Sequence, residues 1–371
     1  DGTQMMMDMK EQAARFGADL RDGSISKVDF SSRPYHLTDE RGNEIEADTV
    51  IIATGASAKY LGLADEEKYR GQGVSACATC DGFFYRKKTV AVVGGGYTAC
   101  EEATYLAGLA KKVYLIVRKP FLRASKAMQD RVMQNPKIEV LFETNTLGLY
   151  GENGVEGAHV VYRKGEADEK KYDLPIDGFF LAIGHKPNSD LFKEWLKTDE
   201  TGYILTEGDT PRTGVPGVYA AGDVTGFSML AHTASREGEV AVNNILGKED
   251  HMRYDAIPGI VYTNPEVAGV GLTEEQAAAS GKEYSVVKLP MAYAGRFVAE
   301  NEGGEGICKI IVGKKYHEVL GVHMLGNPCS EIIHSACIAI ESEMTLEQLK
   351  EVVFPHPTVS EIIKETAFAL K

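Results

Sequence analysis

The chain has 371 residues, 43% of them apolar and 25% charged, a balance suited to a soluble globular protein of two or three domains. Its 54 acidic and 40 basic residues leave a formal net charge of −14, which argues against nucleic acid or an anionic membrane surface as the main partner. No apolar run approaches the ~20 residues of a membrane helix, and neither a membrane protein nor a secreted one is expected.

The chain opens at Asp1 without an initiator methionine, as a fragment would. It runs into a helical stretch, Met5 to Phe16, with Met6, Met9, Ala13 and Phe16 on one stripe. Strands are predicted at 26–30, 35–38 and 49–53, with a turn at Arg41-Gly42-Asn43; the third ends in Ala53-Thr54-Gly55. A loop-rich segment, 56–76, leads to Cys77. A βαβ unit follows: strand 89–93, glycine turn 94–96, helix 97–110 and strand 113–117. Strands are expected again at 138–142, 158–163 and 178–182, the last running into Ile183-Gly184. Another at 217–220 runs into Gly222-Asp223, and a helix is expected over 229–246. From about 256 the texture changes. Strands at 258–262, 266–271, 284–290, 306–312 and 317–325 alternate with helices at 273–280, 329–343, 345–352 and 359–368, the pattern of a separate α+β domain.

Gly94-Gly95-Gly96-Tyr97-Thr98-Ala99 fits G-x-G-x-x-A between a buried strand and a helix. Gly94 permits the tight turn and Gly96 lets backbone approach a diphosphate. The small Ala99 lets helix and strand pack closely, and the N–H groups around Tyr97 and Thr98 face the phosphates. The second strand of a dinucleotide unit commonly ends in a carboxylate that binds ribose hydroxyls. Here it ends in Val117-Arg118-Lys119, with Arg123 one turn later. Those cations suit a 2′-phosphate, so NADP(H) is expected over NAD(H).

Of six cysteines, only Cys77 and Cys80 form a close pair, and Asp81 follows them. Two intervening residues let a disulfide close and open repeatedly, and a neighbouring carboxylate can serve proton transfer. Zinc would need a second ligand pair at similar spacing, which Cys308, Cys329 and Cys337 do not offer. Redox chemistry is favoured over zinc and over an inert pair. Cys100 reads as a packing residue.

The segment GVSACATCDGFFYRKKTVAVVGGGYTACEEA, with VRKPFLR (117–123), DGFFLAIGHKPN (177–188) and GVYAAGDV (217–224), resembles the low-molecular-weight thioredoxin reductases over residues 1 to about 223. The resemblance implies that Cys77 and Cys80 are the redox disulfide and Asp81 its acid–base group. Ala53, Thr54 and Gly55 would lie near FAD, with Gly222 and Asp223 at its ribityl chain. From about 224, MLAHTASREGEVAVNNIL, DAIPGIVYTNPEVAGVGLTEEQA and FPHPTVSEIIKE resemble dihydrolipoamide dehydrogenase and its dimerisation domain. That places Met229, Leu230, Ala231 and His232 against the flavin cofactor. It also makes His356 a base oriented by Glu361, and a His five residues before a Glu at a helix start can be held in one tautomer.

The expected fold is α/β: Rossmann-like FAD- and NAD(P)-binding domains of the pyridine nucleotide-disulfide oxidoreductase type, with a C-terminal α+β dimerisation domain. FAD would bind 1–57 and 188–250, NADPH would bind 58–187, and 255–371 would dimerise. The expected activity passes electrons from NADPH through FAD to the Cys-x-x-Cys disulfide and on to a thioredoxin-like protein, in a cytoplasmic homodimer. One alternative is an NAD-dependent dihydrolipoamide dehydrogenase acting on a lipoyl-bearing protein. Another is an inactive fragment or mosaic that keeps nucleotide-binding and dimerisation modules. Both families begin with a G-x-G-x-x-G strand turn for FAD, and none precedes residue 42 here; dihydrolipoamide dehydrogenase also carries a Cys-x4-Cys pair that this chain lacks. FAD is therefore expected to be held weakly.

Overall fold

The computed structural model describes residues 2–370. The chain divides into two compact units, Asp1–Thr206 with Arg212–Leu230, and Glu207–Pro211 with Ala231–Lys371. No described helix is long and apolar enough to cross a membrane.

The first unit opens with the expected helix, Gly2–Arg15, but none of its residues is buried and Met5, Met6, Met7 and Met9 are all exposed. Among the described residues only Ala13 of the predicted stripe is partly covered, and Phe16 falls in the turn beyond the helix. An antiparallel meander follows, Ile25–Asp29, Tyr35–Asp39 and Glu44–Ala47. Its last strand was not anticipated, because Glu44-Ile-Glu-Ala carries one apolar residue of any size. The Arg41–Asn43 turn closes on Asp39, whose carboxylate accepts the Arg41 and Asn43 N–H groups at 2.8 Å each. Val50–Ile52 then pairs in parallel with Val218–Ala220, and those two strands form a sheet of their own. Ile52, Val218 and Ala220 bury against Val28, Phe30, Phe192 and Ile204.

The larger sheet of this unit has five parallel strands in the order Val74–Ser75, Gly178–Leu181, Thr89–Val93, Lys112–Ile116 and Ile138–Leu141. Side chains alternate along a strand, so Thr89–Val93 sends Val90 and Val92 to one face and Ala91 and Val93 to the other. The first face meets helix Tyr97–Leu109 through Ala99, Cys100, Ala103, Leu106 and Ala107, a run of mostly small residues that brings helix and sheet close. The second face is covered by a meander, Thr144–Tyr150, Gly157–Tyr162 and Lys170–Pro175, through Leu149, Ala158, Val160 and Leu174. Burial on both sides explains why Thr89–Val93 reads as an unbroken apolar run. Phe180 is wholly buried and meets Tyr85 edge-on, ring centroids 5.2 Å apart. Phe180→Ala is expected to lower unfolding free energy by about 3–5 kcal/mol, measured by urea denaturation.

The second unit carries a five-stranded antiparallel sheet in the order Gly259–Val261, Val267–Gly271, Val319–Leu325, Ile307–Gly313 and Tyr284–Pro290. Helices Cys329–Glu341 and Glu361–Ala369 contribute Ile333, Ala336, Ile340, Ile362 and Ile363 to a core shared with Val270, Ile310 and Val322 of the sheet. Cys308, Cys329 and Cys337 are buried in that core. Burial pushes the Cys308 thiol up to about 12 and the other two up to about 11, so none is a ready nucleophile.

Candidate nucleotide cleft and redox disulfide

The nucleotide cleft lies beyond the carboxyl ends of the parallel strands. The chain leaves Thr89–Val93 toward Lys112–Ile116 and returns later on the other side at Gly178–Leu181, the switch of direction at which such sheets bind ligands. Gly94 has φ +142°, and a Cβ there would sit 2.4 Å from the Ala182 carbonyl oxygen and 2.8 Å from the Ala99 Cβ. Ala99 itself is wholly buried; it gives room to Gly94 and does not line the cleft. Gly95, which the sequence pattern leaves free, is also sterically required, with a Cβ falling 2.8 Å from Val117 Cγ1. Gly96 has open space above it and caps helix Tyr97–Leu109 without a side-chain hydrogen bond, so the first N–H groups remain available to a ligand. Gly94→Ala is expected to cost about 1–3 kcal/mol of stability from overpacking and to abolish nucleotide binding, both read from thermal melts with and without NADPH.

The cleft of about 540 Å³ is lined by the glycine turn, Tyr97 and Thr98, the basic residues Arg118, Lys119 and Arg123, and Ile183-Gly184 from the far strand. The three cations are exposed, and no ion pair engages them among the described residues. The Arg123 N–H donates to the Gly95 carbonyl at 2.6 Å, which ties the basic loop to the phosphate turn. Thr144, Asn145 and Thr146, on a strand the sequence did not reveal, complete the wall. Thr146 Oγ1 is buried with no hydrogen-bond partner, a polar atom awaiting a ligand. These residues fit NADP(H).

Cys77 and Cys80 are joined in a disulfide, Cα atoms 5.3 Å apart. Cys77 caps the short helix Ala78–Asp81, its sulfur accepting the Cys80 N–H at 3.2 Å. Cys80 is exposed and Cys77 half-buried. Ser75 orders the turn: its hydroxyl donates to Asp81 Oδ2 at 2.6 Å and lies 3.1 Å from the Cys77 N–H that donates to it. The pair follows strand Val74–Ser75, so it leaves the parallel sheet by the same edge as the nucleotide cleft. Cys100 is wholly buried and packs, as expected.

Ala53-Thr54-Gly55 and Gly222-Asp223 follow the paired strands Val50–Ile52 and Val218–Ala220, which brings the two segments together. Asn188 clamps the first segment: Thr54 Oγ1 donates to its carbonyl at 2.7 Å, and its own N–H donates to the Gly55 carbonyl at 2.9 Å. Met229 and Leu230 end the first unit, whereas Ala231 and His232 open helix Ala231–Ile245 of the second, where the His232 ring bonds the Pro258 carbonyl at 3.0 Å. The segments after these strands suit the riboflavin end of FAD. The described residues ahead of Val50 form a helix and an antiparallel meander, with no glycine turn at a helix start to take the diphosphate.

In the second unit, His356 Nδ1 lies 3.0 Å from Glu361 Oε1, with the ring 80% exposed and the carboxylate 20% exposed. The Thr358 N–H and then His356 hold the Glu361 carboxyl below the usual range. The carboxylate thus orients the ring as the sequence spacing suggested.

Residues 8–238 match the family described as pyridine nucleotide-disulphide oxidoreductase, and residues 257–367 match its dimerisation domain. The chain belongs to this family. Thioredoxin reductase of Debaryomyces hansenii is 47% identical over 229 residues, which cover 60% of this chain and 71% of that protein. The solved structure of thioredoxin reductase from Giardia duodenalis matches at 37% identity and a TM-score of 0.54, covering 66% of this chain and 81% of that one. LpdA from Mycobacterium tuberculosis covers the whole chain and 81% of its own, with a TM-score of 0.78 at 22% identity, a likeness of fold alone. The thioredoxin reductase relatives stop part-way along the chain, as the change of resemblance implies, whereas the first family match runs past residue 223 to 238. Within this family the thioredoxin reductases use FAD and NADPH.

Proposed function

We propose that this chain is an NADPH-dependent disulfide reductase of the thioredoxin reductase type, reducing a small thioredoxin-like protein through Cys77–Cys80. The observation that carries this reading is a Cys-x-x-Cys disulfide, exposed at Cys80, on the same sheet edge as a cleft lined by a glycine turn and three cations free of ion pairs among the described residues. In it, residues 58–187 form the nucleotide domain, 1–57 and 188–250 the flavin domain, and 255–371 the dimerisation domain of a homodimer. We assign the cycle to the cytoplasm, where thiols are kept reduced.

The Gly94–Gly96 turn and the N–H groups of Tyr97 and Thr98 take the diphosphate, and Arg118, Lys119 and Arg123 take the 2′-phosphate. Ile183 and Gly184, which line the same cleft, contact the dinucleotide. Ala53, Thr54 and Gly55, with Gly222, Asp223, Met229 and Leu230, are the residues of the first unit that would hold FAD. Bound there, a flavin supplies the relay between a two-electron hydride donor and a disulfide. Once reduced, one sulfur of the pair attacks the partner's disulfide as thiolate, forming a mixed disulfide, and the other sulfur then displaces the partner's thiol. Asp81, oriented by Ser75, gives and takes the proton at the pair. Phe83 and Phe84, 63% and 70% exposed just after the disulfide, offer an apolar landing for a protein substrate. His356 and Glu361 form a second acid–base couple, in the dimerisation domain.

The test is NADPH-dependent reduction of an aromatic disulfide dye with FAD added. Activity with FAD supports the reading, and none at any flavin loading opposes it.

A further inference from the structure

Glu102 stands on the nucleotide helix Tyr97–Leu109 but takes no part in the cradle. The short helix Ala78–Asp81 ends against this same helix: a Cβ at its capping residue Gly82 would come 2.9 Å from Leu106 Cδ2 and 3.1 Å from Tyr105 Cε1. Within that contact Ala78, the residue after Cys77, is wholly buried. Its backbone N–H stabilises the Glu102 carboxylate. Yet Glu102 Oε2 is buried with no hydrogen-bond partner. A carboxylate oxygen in that position carries its desolvation cost uncompensated, and a proton relieves it.

Charged groups stand on the elements around this helix: Asp81 on the redox helix, Lys126, Asp130 and Arg131 on helix Lys126–Gln134, Lys112 and Glu139 on the sheet. Lys126 pairs with Asp130 and Lys112 with Glu139. The charge that acts on Glu102 is its neighbour Glu101, which opposes ionisation.

We propose that Glu102 is a positioning residue of the redox turn, holding the backbone between Cys77 and Cys80 and taking up a proton when the pair is reduced. The inference rests on the reading of Cys77–Cys80 as the exchanging pair. Reduction adds two electrons and breaks the S–S bond. One sulfur takes a proton as thiol, the other stays as thiolate, and the second proton goes to the Glu102 carboxylate. Burial pushes Glu102 up to about 7, so above neutrality it is largely ionised beside the neutral disulfide and ready to accept. A thiolate forming nearby raises its proton affinity further.

The test equilibrates the whole chain and its Glu102→Gln variant with dithiothreitol and its cyclic disulfide from about pH 7 to about pH 8, counting reduced pairs after acid quenching. Each dithiothreitol oxidised gives up two electrons and two protons. In the wild type the pair and Glu102 together take close to two protons once Glu102 is ionised, so the equilibrium constant is expected to change by no more than about twofold across this range. In Glu102→Gln one proton is released, and reduction becomes about tenfold more favourable per pH unit. The glutamine keeps an acceptor for the Ala78 N–H, so a purely structural role leaves the slope unmoved. Superimposable profiles, or a tenfold slope in the wild type, overturn the proposal. Should the variant not fold, a tenfold slope in the wild type overturns the proposal by itself, and a flat wild-type profile supports it only where maleimide reactivity shows one sulfur of the reduced pair to be thiolate over the same pH range. A pair that never exchanges with dithiothreitol overturns the reading of the disulfide as well, whereas exchange with matching profiles sinks the role of Glu102 alone.

Discussion

Cys80→Ser is expected to abolish NADPH-dependent disulfide reduction, by at least about a thousandfold in kcat, while NADPH affinity stays within about twofold. The reasoning is chemical. A serine hydroxyl cannot close a disulfide on Cys77 or leave as a stabilised anion, so the pair can no longer accept two electrons. The nucleotide is held by other elements: the glycine turn, the basic loop and the strand ending at Leu181, none of which the side chain of Cys80 lines. Dye reduction with added FAD reads the first quantity and nucleotide titration reads the second. Residual turnover above a tenth of the original would show that electrons reach substrate by another route. Loss of nucleotide affinity would show that the redox turn braces the cleft.

Removing the cations separates the two nucleotides. Charge-assisted bonds of this kind are worth about 1.5–3 kcal/mol when well sheltered. Arg118, Lys119 and Arg123 are all exposed, so solvent screening places each nearer the lower bound. An Arg118→Ala, Lys119→Ala, Arg123→Ala chain should therefore bind NADPH more than a hundredfold more weakly and NADH with little change, erasing the preference. Dissociation constants for the two dinucleotides, measured at low and at physiological salt, check this. The wild-type preference should shrink with salt, and the triple variant should show no such dependence. Unchanged discrimination would move the 2′-phosphate site elsewhere.

The sequence was most legible where one local pattern is enough to specify structure. Thr89–Val93, the glycine turn and the helix after it form a strand–turn–helix whose periodicity switches from unbroken apolar to helical within a few residues. Cys77–Cys80 was visible for the same reason, since its partners are close along the chain, whereas His356–Glu361 stood out only through the family resemblance, a histidine at a helix start being common. What stayed hidden depends on neighbours far away in sequence. Helix Lys126–Gln134 buries only Met128 and Val132, and its one local sign is Ser125, whose hydroxyl accepts the Met128 N–H. Lys170–Pro175 buries only Leu174, and Thr144–Tyr150 buries Thr144, Gly148 and Leu149 across a register shift, so neither shows the alternation that marks a strand. Thr146 and Asn188 look like ordinary loop or strand residues until the fold brings the nucleotide wall or the Thr54 backbone beside them. Gly95 is required by the Val117 side chain, which no spacing rule encodes. Glu102, in a run of two glutamates on a helix, reads as a solvated surface until the redox helix covers it.

Cys100, Cys308, Cys329 and Cys337 are all buried, and burial raises each of their thiols above the ordinary range. A mild reductant followed by a brief maleimide pulse on the native chain should therefore leave label almost solely on Cys77 and Cys80. Those two lie within one peptide between Arg70 and Arg86, free of internal lysine or arginine. Trypsin releases it whole, so its mass alone records how much of the couple was open at the moment of quenching, without mutating any other cysteine.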